Sequence, residues 1–216
     1  MAASYDEAMP SRYIEKLYDD ESFYHIFNRG VEKRDVFMDE DDYKYFLGLL
    51  SRYMSKGKKK DGSGRLLPDY SEQIELVAYC LMPNHFHMLL YQHDKESIER
   101  LMRSVSTAYS MYFNRKYKRV GKLFQGRYKA VYVNEDSYFT HISRYIHLNP
   151  LDIGADYKSY PYSSYSNWVD GDVTPWLNPK RALDEFSSGE DYAKFVSEYE
   201  TVKAELDMIK SMLKEE

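Results

Sequence analysis

"IELVAYCLMPNHFHMLLYQ", residues 74–92, is the stretch on which the reading of this chain turns. Two apolar runs, "IELVAYCLM" and "HFHMLLYQ", flank the turn dipeptide Pro83-Asn84, the pattern of an antiparallel β-hairpin. The second run opens with His85, Phe86 and His87. Side chains two apart on a strand leave the same face, with Cα atoms roughly 6.5–7 Å apart. Two imidazoles so placed can converge on one divalent metal ion. The plainer alternative is a half-buried strand carrying two hydrogen-bonded histidines. A third ligand, and something for a metal to do, are needed to choose between them.

Working outward, "FYHIFNRG" (23–30) reads as a strand ending at Gly30. "DEDDYKYFLGLLSRYM" (39–54) has acids in its first turn and apolar residues at helical spacing. "KGKKKDGSGR" (56–65) is a polar loop, read as a solvated hairpin tip. "DKESIERLMRSVSTAYSMYFNRKY" (94–117) predicts a helix with Ile98, Leu101, Met102, Val105 and Tyr109 on one side. "GKLFQGRYKAVYV" (121–133) becomes strand-like after its glycines, and "NEDSYFTHISRYIHLNP" (134–150) predicts a helix capped by Asn134 and stopped at Pro150. Beyond it, "YKSYPYSSYSNWVDGDVTPW" (157–176) is rich in turn residues and aromatics, and a polar helix begins near Gly189. The order β-α-ββ-α-β-α predicts an α+β fold, an antiparallel sheet with helices on one face. The expected organisation is one domain over 1–165 and a C-terminal extension over 166–216, ending in a helix.

The bulk numbers restrict the function classes. A chain of 216 residues, 43% hydrophobic and 30% charged, can bury a core in one domain plus an appendage. The lone cysteine, Cys80, excludes an internal disulfide and points to a reducing compartment. No apolar run approaches the ~20 residues of a membrane span, and the N-terminus has no signal-peptide core. The expectation is a cytoplasmic protein without membrane attachment. Tyrosine is in excess, at 23 residues, which suits both core filling and base stacking.

The net charge of −5 argues against nucleic acid until its distribution is seen. Between residues 100 and 129 stand Arg100, Arg103, Arg115, Lys116, Lys118, Arg119, Lys122, Arg127 and Lys129, with no Asp or Glu. One basic stretch on an acidic body is the footprint of a localised anion site.

The helix before Pro150 supplies candidates for the missing parts. His141, Tyr145 and Asn149 are spaced i, i+4, i+8 and share a face, with Tyr138 on or near it. His147 lies about 200° of rotation from Tyr145. Tyrosines on helices are by default packing residues. A metal on His85 and His87, completed by an oxygen ligand such as Asn149, would polarise a phosphodiester. A tyrosine one helical turn away could attack the phosphorus and hold the product as a phosphotyrosine. The DNA would have to be single-stranded or locally melted to enter, and the basic stretch with its aromatics offers charge and stacking.

"YCLMPNHFHMLL" with "RYIHLNP", preceded by "YHIFNRGVEKRDVF" and joined by "LFQGRYKAVYV", resembles the HUH single-tyrosine transposases, nearest the REP-associated tyrosine transposases. The resemblance covers about residues 20 to 165. It implies a ferredoxin-like α+β fold, a divalent metal (Mg²⁺ or Mn²⁺), and cleavage and rejoining of single-stranded DNA at hairpin-bearing ends. It implies His85 and His87 as the metal pair, Tyr145 as nucleophile and Asn149 as third ligand. Relatives occur as monomers and as homodimers, and residues from about 166 match no motif of the family. Tyr138 stands as rival nucleophile. The alternatives are a domesticated DNA hairpin-binding protein with little catalysis, and a metal-dependent hydrolase that uses activated water.

Overall fold

The computed structural model describes residues 19–57, 59–60, 62–133 and 138–200, with only the backbone described at 138 and 182. Asn134, the expected cap, lies outside the described residues. Strands β1 (Ser22–Arg29), β2 (Ile74–Met82), β3 (His85–Gln92) and β4 (Lys129–Val133) form one sheet in the order β2-β3-β1-β4. Every neighbouring pair is antiparallel. The β2–β3 hairpin turns at Pro83-Asn84, and the Gly30 N–H donates to the Asn84 carbonyl at 2.9 Å, tying the end of β1 to that turn. Arg34 O lies 2.2 Å from where a Cβ on Gly30 would sit, so glycine is required by close approach.

Helix α1 (Glu40–Met54) starts at Asp39, whose carboxylate accepts from the Asp42 N–H, and α2 (Ser97–Lys116) follows the hairpin. Both pack on one face of the sheet, where Phe46, Leu50, Leu101 and Tyr109 meet Ile26, Leu81, Phe86 and Met88. The expectation of helices on one face holds for these two. The opposite face is covered as well, by α3 (Tyr138–Leu148) and the C-terminal segment. The physical reason is in the strands: Phe23, Val77, Cys80, Leu89 and Tyr91 make that face apolar, so it too must be buried. Ile142 and Ile146 of α3 cover part of it, and Trp168, Tyr192 and Val196 the rest. Trp168 belongs to α4 (Tyr165–Val169); α5 (Lys180–Leu183) and α6 (189–200) follow.

A buried polar chain ties this second layer together. His147 Nδ1 lies 2.6 Å from Tyr192 Oη, and its Nε2 lies 2.9 Å from Ser164 Oγ. The Tyr192 hydroxyl donates to Ser143 Oγ at 3.2 Å, and the Tyr79 N–H donates to Ser164 Oγ at 2.8 Å. Sheet, α3 and α6 are thus joined by satisfied hydrogen bonds as well as by apolar contact. The lysine-rich loop is more than a solvated tip, since Lys59 Nζ donates to the carbonyls of Ser51, Arg52 and Ser55 at the end of α1, each at 3.0 Å. Among the described residues no helix is long and apolar enough to cross a membrane.

Candidate active site

Strand register places the histidines. His85 and His87 point to the α3 side of the sheet, in rows with Arg29 and Phe27 of β1 opposite them. Phe27 in turn faces Lys129 of β4, and His25 faces Leu89 one pair along. The α3 side of the sheet therefore changes from apolar (Leu89, Tyr91, Phe23) to chemical (His87, His85, Arg29, Lys129) at the end where α3 stops.

The way α3 stops positions Asn149. Pro150 has no N–H, so the Ile146 carbonyl lacks its usual helical partner. The chain tightens into a 3₁₀ turn, Asn149–Ile153, and Asn149 Nδ2 donates to the carbonyls of Tyr145 (2.8 Å) and Ile146 (3.4 Å). With its NH₂ held this way, Oδ1 is turned towards the hairpin and lies 3.5 Å from His85 Nε2. The other nitrogen of His85, Nδ1, lies 2.6 Å from Asn84 Oδ1. His87 Nδ1 lies 2.8 Å from His25 Nε2. The Tyr145 ring stands edge-on to His87, centroids 5.4 Å apart, and its side is 40% exposed at the mouth of the site.

His85, His87, Tyr145 and Asn149 line one cavity of about 450 Å³, rimmed by Arg29, Arg127 and Lys129, with Gln125 and Asp152 completing its wall. Burial pushes the His85 imidazole below its usual range. His87 is pushed further by burial and by the neighbouring His25, His85 and Arg29. Both rings are therefore neutral at neutral pH, the form in which imidazole ligates metals. Among the described residues no three His, Cys, Asp or Glu side chains group to hold a metal. The donor set on offer is two imidazoles and an amide oxygen. His85 Nε2 and Asn149 Oδ1 are near enough for both to reach an ion at ~2.1 Å from each. Such a mixed set with open positions suits a borderline-to-hard divalent ion rather than a closed tetrahedral zinc site.

The structure thus brings Tyr145, His85, His87 and Asn149 into one pocket. His141 shares their helical face by spacing but turns away, its Nδ1 at 2.7 Å from Arg144 Nη2 and its ring beside Phe195. Tyr138 opens α3, and its side chain lies outside the described residues. The basic residues divide. Arg127 and Lys129 rim the pocket, and Arg103, Lys122 and Arg127 line a second groove of about 590 Å³ that shares Asn28 and Gly126 with it. Arg115 and Lys118 are exposed at the far end of α2, Arg119 lies over the Phe113 ring, and Arg100 donates to Ser97 Oγ at 3.1 Å. Lys116 is enclosed by Asp39 (2.6 Å) and Asp42 (2.8 Å), with Tyr112 and Tyr117 beside it. Two pocket residues, Arg29 and His25's neighbour Phe27, escape a reading by motif. Only the β1–β3 register brings them to the histidines.

Known proteins resemble this chain in one sequence segment and in its fold. Residues 68–149 match the family described as Transposase IS200 like. That segment runs from just before β2 to Asn149 and contains both histidines and Tyr145. A solved structure of a REP-associated tyrosine transposase bound to a REP hairpin shares the fold, with TM-score 0.52 and 13% identity over 74% of this chain and 87% of that one. A transposase candidate from Deinococcus radiodurans R1 aligns more distantly, with TM-score 0.38 and 19% identity over 61% of this chain and 92% of that one. No curated protein sequence matches the chain. Over residues 68–149, the segment that carries both histidines, Tyr145 and Asn149, the chain is similar to the IS200-like transposases.

Proposed function

We propose that this protein is a transposase that cleaves and rejoins single-stranded DNA at hairpin-bearing ends, with Tyr145 as nucleophile and a 5′-phosphotyrosine intermediate. The observation that carries the reading is the convergence, in one cation-rimmed pocket, of a half-exposed phenol with two neutral imidazoles and a fixed amide oxygen. His85, His87 and Asn149 would hold Mg²⁺ or Mn²⁺, which supplies Lewis-acid polarisation of the phosphodiester. Arg29, Arg127 and Lys129 hold the phosphate against the pocket mouth. Tyr145 Oη attacks phosphorus, and the bond from phosphorus to the 3′ oxygen breaks. The phenolic proton goes to solvent, and the leaving oxygen takes one up as a 3′-hydroxyl. The phosphotyrosine keeps the phosphodiester bond energy available for rejoining.

The hairpin-bearing substrate is suggested by the fold neighbour, which carries a REP hairpin. The groove along α2 offers Arg103, Lys122 and hydroxyl-bearing Ser106, Thr107 and Ser110 for the strand that leaves the pocket. Other members of the basic stretch, Arg100 and Arg115 on the same helix and Lys118 and Arg119 just after it, extend the positive field. The work is cytoplasmic, where the one thiol, buried Cys80, stays reduced.

Labelled single-stranded hairpin DNA, incubated with the protein and Mn²⁺ and resolved under denaturing conditions, tests the reading. A label that stays with the protein supports it. Cleavage without an adduct would favour hydrolysis by activated water, and binding alone would favour a hairpin-binding protein.

A further inference from the structure

We infer that His25 of β1 is a positioning residue, which holds a proton on His87 Nδ1 and so presents the Nε2 lone pair of His87 to the pocket. The inference rests on the metal reading proposed above. His25 is completely buried, with its Nε2 2.8 Å from His87 Nδ1. The two rings lie nearly parallel, centroids 5.0 Å apart, and Phe27 packs against both, its centroid 5.0 Å from His25 and 5.7 Å from His87. Among the described residues neither ring has a carboxylate at this contact, so the pair shares its hydrogen bond as two neutral imidazoles.

One proton fits between two such nitrogens, which leaves two arrangements. If His25 Nε2 carries it, His87 accepts at Nδ1 and turns an N–H towards the pocket, where it cannot ligate. If His87 Nδ1 carries it, the Nε2 of His87 is a lone pair aimed at the same space as His85 Nε2 and Asn149 Oδ1. In that arrangement the second nitrogen of His25, Nδ1, bears its own proton. Among the described residues Nδ1 of His25 is a buried polar atom with no hydrogen-bond partner. A buried ring nitrogen left without a partner is rare and costly. The function of the opposite nitrogen as the fixed acceptor for His87 accounts for a histidine being kept there. An aromatic hydrocarbon would fill the same space beside Phe27 and His87 without that cost.

The test uses Mn²⁺ alone as probe, on the full chain, with binding followed by electron paramagnetic resonance. His25→Phe keeps the ring and its stacking but removes the acceptor. His25→Gln puts an amide oxygen near the position of the lost Nε2. The expected result is a fall in Mn²⁺ affinity of about 10- to 100-fold for His25→Phe. His25→Gln should stay within a few-fold of the wild type. In the ¹⁵N-histidine spectrum of the Mg²⁺-loaded wild type, His87 should carry its proton on Nδ1. Wild-type affinity in His25→Phe, or equal losses in both folded variants, would overturn the inference while leaving the metal reading intact. Absence of Mn²⁺ binding by the folded wild type removes the metal reading and the inference with it.

Discussion

Asn149 Oδ1 and His85 Nε2 lie 3.5 Å apart although 64 residues separate them in the chain. Two unrelated local events create that meeting: a strand that begins directly after Pro83-Asn84, and a helix that must end because residue 150 is proline. Tyr145, whose carbonyl accepts from the same asparagine, is carried to the same spot.

If the histidines and Asn149 form the ion site, His85→Ala or His87→Ala should lower Mn²⁺ affinity by at least tenfold and abolish cleavage. Binding of hairpin DNA, measured by fluorescence anisotropy, should stay within about threefold, because phosphate contacts lie on the rim rather than on the imidazoles. Cleavage at wild-type rate by either variant would remove the ion from the account.

The rim makes its own prediction. Arg127→Ala and Lys129→Ala should each flatten the slope of log affinity against log salt by about 0.7–0.9. An unchanged slope would mean that the DNA backbone runs elsewhere.

Lys116 should behave differently from its basic neighbours. Its ammonium sits between Asp39 and the fully buried Asp42, and Tyr117 also donates to Asp42 at 2.8 Å. Lys116→Met would strand a buried carboxylate and cost on the order of 2 kcal/mol in denaturant unfolding, with the salt slope for DNA unchanged. A variant of full stability with a flattened slope would make Lys116 a DNA contact.

Acid should unfold the protein through its buried histidines. Burial lowers His25 and His147 to about 3 and His87 well below its usual value. The unfolded chain therefore binds more protons than the folded one from about pH 6.5 downward, and stability falls as pH falls through that window. Each histidine contributes a slope of about 1.4 kcal/mol per pH unit. Urea midpoints measured between pH 7.5 and 5 should drop steeply, and His147→Gln should make the drop shallower. A flat profile would contradict the burial of these rings.

The elements with one clear period were legible in the sequence. The hairpin, β1, α1 and α2 each carry a single apolar pattern bounded by Gly30, Asp39 or Pro83-Asn84, and their ends fall within three residues of the expected ones. The second layer was not legible. Trp168, Tyr192 and Val196 fill the core on the α3 side from a stretch broken by turns, where no period links them. Lys116 read as part of a basic face because nothing local announces that α1 and α2 pack with Asp42 against it. His25 was silent for the same reason: 62 residues from His87, it becomes a neighbour only through the β1–β3 register.

The most direct measurement maps the covalent link. DNA-adducted protein, trapped with a 3′-labelled oligonucleotide and digested, should yield one modified peptide in mass spectrometry, with the nucleotide on Tyr145. Tyr145→Phe, which deletes only the attacking oxygen, should unfold within about 1 kcal/mol of the wild type and form no adduct, while Tyr138→Phe forms it normally. A nucleotide found on Tyr138, or an adduct that persists in Tyr145→Phe, would contradict the account.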